Sequence, residues 1–168
     1  MLNYICLGIA AVLVALDQLV KFWAEHSLSQ VDTIALIPGV FHLTYVQNFG
    51  AAFNTMNNQR LLLVVLTSAV LLVLFVLLLL GKLRSPWMVV SWSLILAGGA
   101  GNLIDRLFRE GGYVVDLFDF RLINFPVFNV ADICVTVGMA LFLIYFIFIE
   151  RKEHRRFEIR QEIKRHEQ

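Results

Sequence analysis

Two aspartates, Asp116 and Asp132, are the best candidates in this chain for bond-breaking chemistry, and other nucleophile patterns are missing. A zinc peptidase would need a motif such as H-E-x-x-H, which is absent, and the four histidines stand apart at His26, His42, His154 and His166. Ser91, Ser93 and Cys134 have no His or Lys at a helical spacing to act as base. There is no G-x-S-x-G elbow and no phosphate-binding loop. Carboxylates remain. Two carboxyls held close cannot both ionise easily, so one keeps a proton. The ionised member can take a proton from water as the water attacks a carbonyl, and the protonated member can supply the leaving amine. Asp119, in Leu117-Phe118-Asp119-Phe120, is a rival to Asp116 and reads as a solvated loop acid. Whether Asp116 and Asp132 meet depends on the fold.

The elements that must position them are membrane spans. Of the 168 residues, 59% are apolar and only 16% charged, against about 45–50% and about 25% in soluble domains. The net charge of only +1 argues against a nucleic-acid binder. Uncharged apolar stretches cover 1–16, 61–80, 85–104 and 133–149. A spanning helix needs about 20 apolar residues, so the first must run past Asp17 to about Trp23 and the fourth must start near Ala131. The first stretch lacks a basic leader and is interrupted by Asp17 and Lys21, so it is expected to be retained as a helix. Cys6 and Cys134 sit in apolar runs and are expected to be small buried hydrophobes.

Charge orients the spans. The segment after Glu150 holds seven basic residues, and Lys82 and Arg84 lie between spans two and three. The opposite side has Lys21, Arg60, Arg106, Arg109 and Arg121. Nine against five puts both termini in the cytoplasm. Residues 1–150 then form the membrane domain, and 151–168 a cytoplasmic tail of mixed charge. Two long connections, about 24–60 and 107–131, fall outside. Thr33 to Ile37, Pro38-Gly39 and Val40 to Val46 read as strand, turn, strand, and predict a small sheet on the outer membrane surface.

With that orientation the polar residues gather at one depth. Asp17 and Lys21 lie at the outer end of span one, Asn102, Asp105 and Arg106 at that of span three, and Asn129 and Asp132 at the outer start of span four. Asn48 and Asp116 lie in the outer loops. Ionisable groups inside a membrane cost about 2.5–3.5 kcal/mol each at a helix centre and are usually paired and functional. Asp17 and Lys21 are spaced i, i+4 and can pair, as can Asn102 and Arg106. Gly98, Gly99 and Gly101 allow close approach of a neighbour. Taken singly, each pair could be structural glue. A transporter would instead place its ion site at the midplane, and a purely structural membrane partner is the third reading.

Five segments together resemble the bacterial lipoprotein signal peptidases (signal peptidase II). They are Asp17-Gln18-Leu19-Val20-Lys21, Asn48-Phe49-Gly50-Ala51-Ala52-Phe53, Gly98 to Arg106, Val114-Val115-Asp116, and Phe128-Asn129-Val130-Ala131-Asp132. The resemblance implies an α-helical membrane protein: a bundle of four transmembrane helices with a small extracytoplasmic β-sheet, in the bacterial cytoplasmic membrane. It implies an aspartic endopeptidase that removes the signal peptide from prolipoproteins carrying diacylglycerol on cysteine, with Asp116 and Asp132 as the catalytic pair. Asp17, Lys21, Asn48, Gly50, Asn102, Asp105, Arg106 and Asn129 would shape or support the site. Asn48, Asn102 and Asn129 are assigned hydrogen bonds to substrate or carboxylate. Arg106 is assigned to a carboxylate such as Asp105 or to the peptide, and Asp17 and Lys21 to bracing the helix ends. No metal or cofactor is expected; membrane lipid and the prolipoprotein are the partners, and one copy of the chain would suffice. Leu117 and Ile133 stand where the family often has Phe and Ser, and neither change touches a titratable group.

Overall fold

In the computed structural model, which describes residues 1–31, 33–50, 59–83 and 85–149, four long helices carry a three-stranded sheet at one end. The elements are α1 (Leu2–Ser27), β1 (Ile34–Ile37), β2 (Phe41–Asn48), α2 (Arg60–Leu79), α3 (Pro86–Phe108), β3 (Val114–Phe120) and α4 (Val130–Ile144), the last continuing as a π-helical turn over Tyr145–Ile149. Ala51, Ala52 and Phe53 of the second motif, and the 151–168 tail, lie outside the described residues. All four helices are long and apolar enough to cross a membrane.

Two helices outrun the apolar stretches that predict them. α1 continues past Trp23 because Ala24 and Leu28 are buried against Val115 and Leu117 of β3. α3 continues past Ile104 because Asp105 and Arg106 are buried among partners rather than solvated. α4 starts at Val130, behind a capping box in which Asn129 and Asp132 satisfy each other's backbone N–H. Cys6 and Cys134 are free and buried.

α3 is the central helix and touches the other three. Its glycines make that possible. A Cβ on Gly98 would lie 2.2 Å from the Ala131 carbonyl oxygen, and one on Gly101 would lie 2.5 Å from Asp17 Oδ2. Ser91 adds a buried hydrogen bond to the Gly138 carbonyl at 2.8 Å. Gly98→Ala is therefore expected to push α4 outward and cost about 1–3 kcal/mol or more, read as a lowered unfolding temperature in detergent.

The hairpin forms where the sequence predicts it. Val40 N–H donates to the Ile37 carbonyl at 3.0 Å, with Gly39 at φ 73°. That is a turn with Pro at its second position and a left-handed Gly at its third. The sheet order is β1-β2-β3, antiparallel throughout. β3 was expected to be loop. Its residues Val114 to Leu117 are all buried, so the alternating pattern of a half-buried strand is missing. One face packs on α1, and the other looks into a cavity beside α4. A register irregularity between Leu43 and Val46 of β2 sits next to Asp116, where such a bulge re-aims side chains.

Candidate active site

Asp116 and Asp132 come from different elements and line one cavity of about 450 Å³. Asp116 is on β3, on the face opposite Val115 and Leu117, because successive strand side chains alternate. Asp132 is the third residue of α4, fixed by the capping box: its Oδ2 accepts the Asn129 backbone N–H at 3.2 Å, and its own N–H donates to Asn129 Oδ1 at 2.9 Å.

Three asparagine amides hold the two carboxyls. Asn48 Nδ2 donates to Asp116 Oδ2 at 3.0 Å, Asn129 Nδ2 to Asp116 Oδ1 at 2.6 Å, and Asn102 Nδ2 to Asp132 Oδ1 at 2.8 Å. Asn129 Nδ2 also lies 3.1 Å from Asn102 Oδ1. A continuous path of side-chain amides thus runs from one aspartate to the other. Asn48 reaches Asp116 diagonally, since it pairs with Val114 in the register of β2 and β3.

Asp116 is 2% exposed. Burial pushes its carboxyl up to about 7; hydrogen bonds from Asn48 and Asn129 oppose the rise, and the charge of Asp132 adds to it.

Behind the cavity lies a buried charge network. Lys21, fully buried, pairs with Asp17 Oδ2 at 2.8 Å and Asp105 Oδ2 at 2.9 Å, and donates to Asn102 Oδ1 at 2.8 Å. Asp17 Oδ1 accepts the Ala131 N–H at 2.8 Å, in the first turn of α4. Asp105 Oδ2 lies 3.3 Å from the Val115 N–H. These three residues do not line the cavity that holds the aspartates; they tie α1 and α3 to the backbone beside each of them.

Arg106 was expected to pair with a carboxylate such as Asp105 or to orient the peptide, and its hydrogen bonds go to backbone carbonyls rather than to Asp105. Neighbouring helical residues point about 100° apart: Asp105 faces α1, where Lys21 holds it, with Arg109 at the end of α3 as its second cation, whereas Arg106 faces the cavity. Arg106 Nη2 donates to the Gly50 carbonyl at 2.6 Å, and Nη1 to that of Asn102 at 3.3 Å. Gly50 N–H in turn donates to Asn48 Oδ1 at 2.9 Å.

Asp119 is not the solvated loop acid expected. It lies on β3 and is buried, on the face away from Asp116, with Arg121 Nε at 2.7 Å and Thr44 Oγ1 at 2.8 Å. Burial raises its carboxyl, but Arg121 and Thr44 outweigh that and hold it below the usual range.

Other partners were missed. Gln18 bridges the Gly101 carbonyl (3.1 Å) and Asp105 (3.3 Å). Glu25 and Arg109 extend the charge network outward. The signal was spacing: Asp17, Lys21 and Glu25 recur every four residues on α1, as do Asp105 and Arg109 on α3. The rest of the cavity is mostly apolar, walled by residues 125–128 and by Ile133, Val135 and Val137 of α4, with Thr136 among them. Among the described residues, no three His, Cys, Asp or Glu side chains converge as a metal cage would require.

A family model described as signal peptidase (SPase) II matches residues 9–148. A lipoprotein signal peptidase of Streptococcus thermophilus (strain CNRZ 1066) is 43% identical over 142 residues, covering 84% of this chain and 92% of that one. One from Brevibacillus brevis is 40% identical over 148 residues, covering 88% and 97%. Among solved structures, a bacterial membrane enzyme determined by the in meso method at 2.3 Å superposes with a TM-score of 0.78 at 30% identity, covering 84% of this chain and 87% of that one. With the match running from the middle of α1 to the last turn of the fourth span, this chain belongs to the signal peptidase II family of membrane peptidases.

Proposed function

We propose that this peptidase is aspartic, with Asp116 and Asp132 as its catalytic pair, and that it removes signal peptides from diacylglyceryl-modified prolipoproteins. The observation that carries this reading is the pair of carboxyls on one cavity wall, joined through Asn129 and Asn102. The pair shares one proton. The ionised carboxylate takes a proton from water as the water oxygen bonds to the scissile carbonyl carbon. The protonated carboxyl polarises that carbonyl, then gives its proton to the nitrogen as the C–N bond breaks. Arg106 and Asn48 line the cavity beside the pair and orient the peptide through its carbonyls. The apolar wall along α4 accommodates an apolar substrate segment.

In the same reading the sheet and the catalytic pair lie on the outer side of the cytoplasmic membrane and both termini are cytoplasmic, consistent with the distribution of Lys and Arg. Residues 1–150 form the peptidase domain and 151–168 a cytoplasmic tail. The substrate arrives in membrane lipid, and one copy of the chain is sufficient. The test is cleavage by purified protein in detergent or vesicles of a precursor peptide with and without diacylglycerol on its cysteine. Cleavage of the modified peptide with little turnover of the unmodified one is expected; equal cleavage of both would remove the lipid from the specificity.

The hydrogen bond from Asn48 lowers the Asp116 pKa, so its loss raises it further. Asn48→Ala is expected to move the alkaline limb of the pH–rate profile to higher pH, while lowering the rate at the optimum. An unmoved limb would separate Asn48 from the titrating pair.

A further inference from the structure

Asp116 depends on a short and conformationally permissive link. Between the end of α3 and the start of β3 the chain runs from Arg109 to Tyr113, with Gly111 at φ 79° and Gly112 at φ 72°. Two adjacent left-handed glycines form a joint with little intrinsic stiffness. Asp116 lies three residues beyond it.

Both ends of the link converge on one side chain of a different helix. Glu25, near the C-terminal end of α1, receives Arg109 Nη1 on Oε2 and the Tyr113 hydroxyl on Oε1 at 2.7 Å. The Arg109 guanidinium also lies over the Tyr113 ring, 5.8 Å from its centroid. Arg109 Nε holds Asp105 of its own helix at 3.0 Å, so among these side-chain contacts only those through Glu25 tie the link to α1. On the same stretch of α1, Ala24 and Leu28 pack under Val115 and Leu117. Glu25 therefore sets where β3 starts relative to the helix it lies on.

We propose that Glu25 is a positioning residue for catalysis: by clamping Arg109 and Tyr113 together it fixes the approach of β3, and with it the seat of Asp116 against Asn48 and Asn129. Glu25 lies outside the five motifs of the sequence and does not line the cavity. The proposal rests on the reading of Asp116 as a catalytic carboxyl. The groups facing Asp116 are Asp132 and Asn129 around the start of α4, Asn48 of β2, Arg106 of α3 and, through Asn102, Lys21 of α1. Slackening the clamp draws Asp116 away from its two amide donors while leaving those charges in place.

The test compares Glu25→Ala, Glu25→Gln and Tyr113→Phe in the full chain, using cleavage of a lipid-modified precursor peptide. Misplacement of a reacting group by about 1 Å can cost about 100-fold. Glu25→Ala is expected to lower kcat about tenfold or more with KM nearly unchanged, and to move the alkaline limb of the pH–rate profile upward. Glu25→Gln keeps one acceptor and should fall between wild type and Glu25→Ala. Tyr113→Phe should lower kcat in the wild type and add little in the Glu25→Ala background. A lowered unfolding temperature with kcat and the alkaline limb unchanged would overturn the proposal. If Glu25→Ala fails to fold, Glu25→Gln and Tyr113→Phe each remove one arm and decide the matter by the same two readouts. Asp116→Asn is run alongside: turnover by that variant would reject the catalytic reading of Asp116 itself, whereas its inactivity together with normal Glu25 variants would reject only the positioning role.

Discussion

Asp132→Asn and Asp116→Asn are each expected to lower cleavage by about 100- to 10,000-fold, the range for loss of a positioned acid or base, while the protein still folds. An amide cannot take a proton from water, nor supply one as a carboxylic acid does. The shape is nearly preserved, and the amide oxygen can still accept from Asn102 or Asn48. The Asp116 variant carries a second signature. Its carboxyl titrates near 7 in the folded chain and near 3.9 when unfolded. Between those values the folded state holds more protons, so raising the pH from about 4 to about 7 reduces stability, by on the order of 4 kcal/mol, with little change above. Asp116→Asn removes that cost. Its unfolding temperature at pH 8 should match or exceed wild type, and the downward slope between pH 4 and 7 should flatten. Both results come from one preparation, by peptide cleavage and thermal unfolding in detergent. Robust turnover by either variant would end the dyad assignment.

Lys21→Leu is expected to be the most destabilising single change. Lys21 has no exposure, and its partners Asp17 and Asp105 have side chains 2% and 0% exposed. Removing the cation leaves two carboxylates buried side by side, a change that costs about 3–5 kcal/mol when one partner of a buried pair is lost. Asn102 also loses its Lys21 donor, and Asp17, which accepts the Ala131 N–H, loses its counter-ion. Adding Asp105→Asn to Lys21→Leu reduces the stranded charge, so the double variant should lose less than the sum of the two single ones, as coupled neighbours do. Strict additivity would mean that Lys21 and Asp105 are not paired as described. Lys21→Arg should rescue poorly, because a planar guanidinium does not replace a compact ammonium that reaches three acceptors in a sealed space.

Much of the arrangement was legible in the residues. The spans are legible because bilayer thickness sets a minimum apolar length, and a run such as Leu61 to Leu80 has no other plausible home. The hairpin is legible because Pro38-Gly39 suits only a few turn types. Asp17 and Lys21 are legible as a pair through their spacing. Arg106 was left between a carboxylate such as Asp105 and the peptide, because residue type does not say which neighbouring segment a helix face meets; its guanidinium meets the Gly50 carbonyl. β3 was missed because burial on both faces erases the alternating pattern. Asp119 was misread because its partner Thr44 reaches it only once β2 and β3 pair, completing the contact that the nearby Arg121 makes.

By itself the sequence determined four spans, a polar layer at one end of them and a short set of carboxylates able to do chemistry, because hydropathy, spacing and residue type are local properties. Which carboxylates face a common cavity, and which stay behind it as struts, was decided by tertiary structure alone. A strand's parity, a bulge in its neighbour, the cap of α4 and the glycine contacts that let α3 meet α4 and α1 lie far apart in the chain. Only their packing brings Asp116 and Asp132 to one wall.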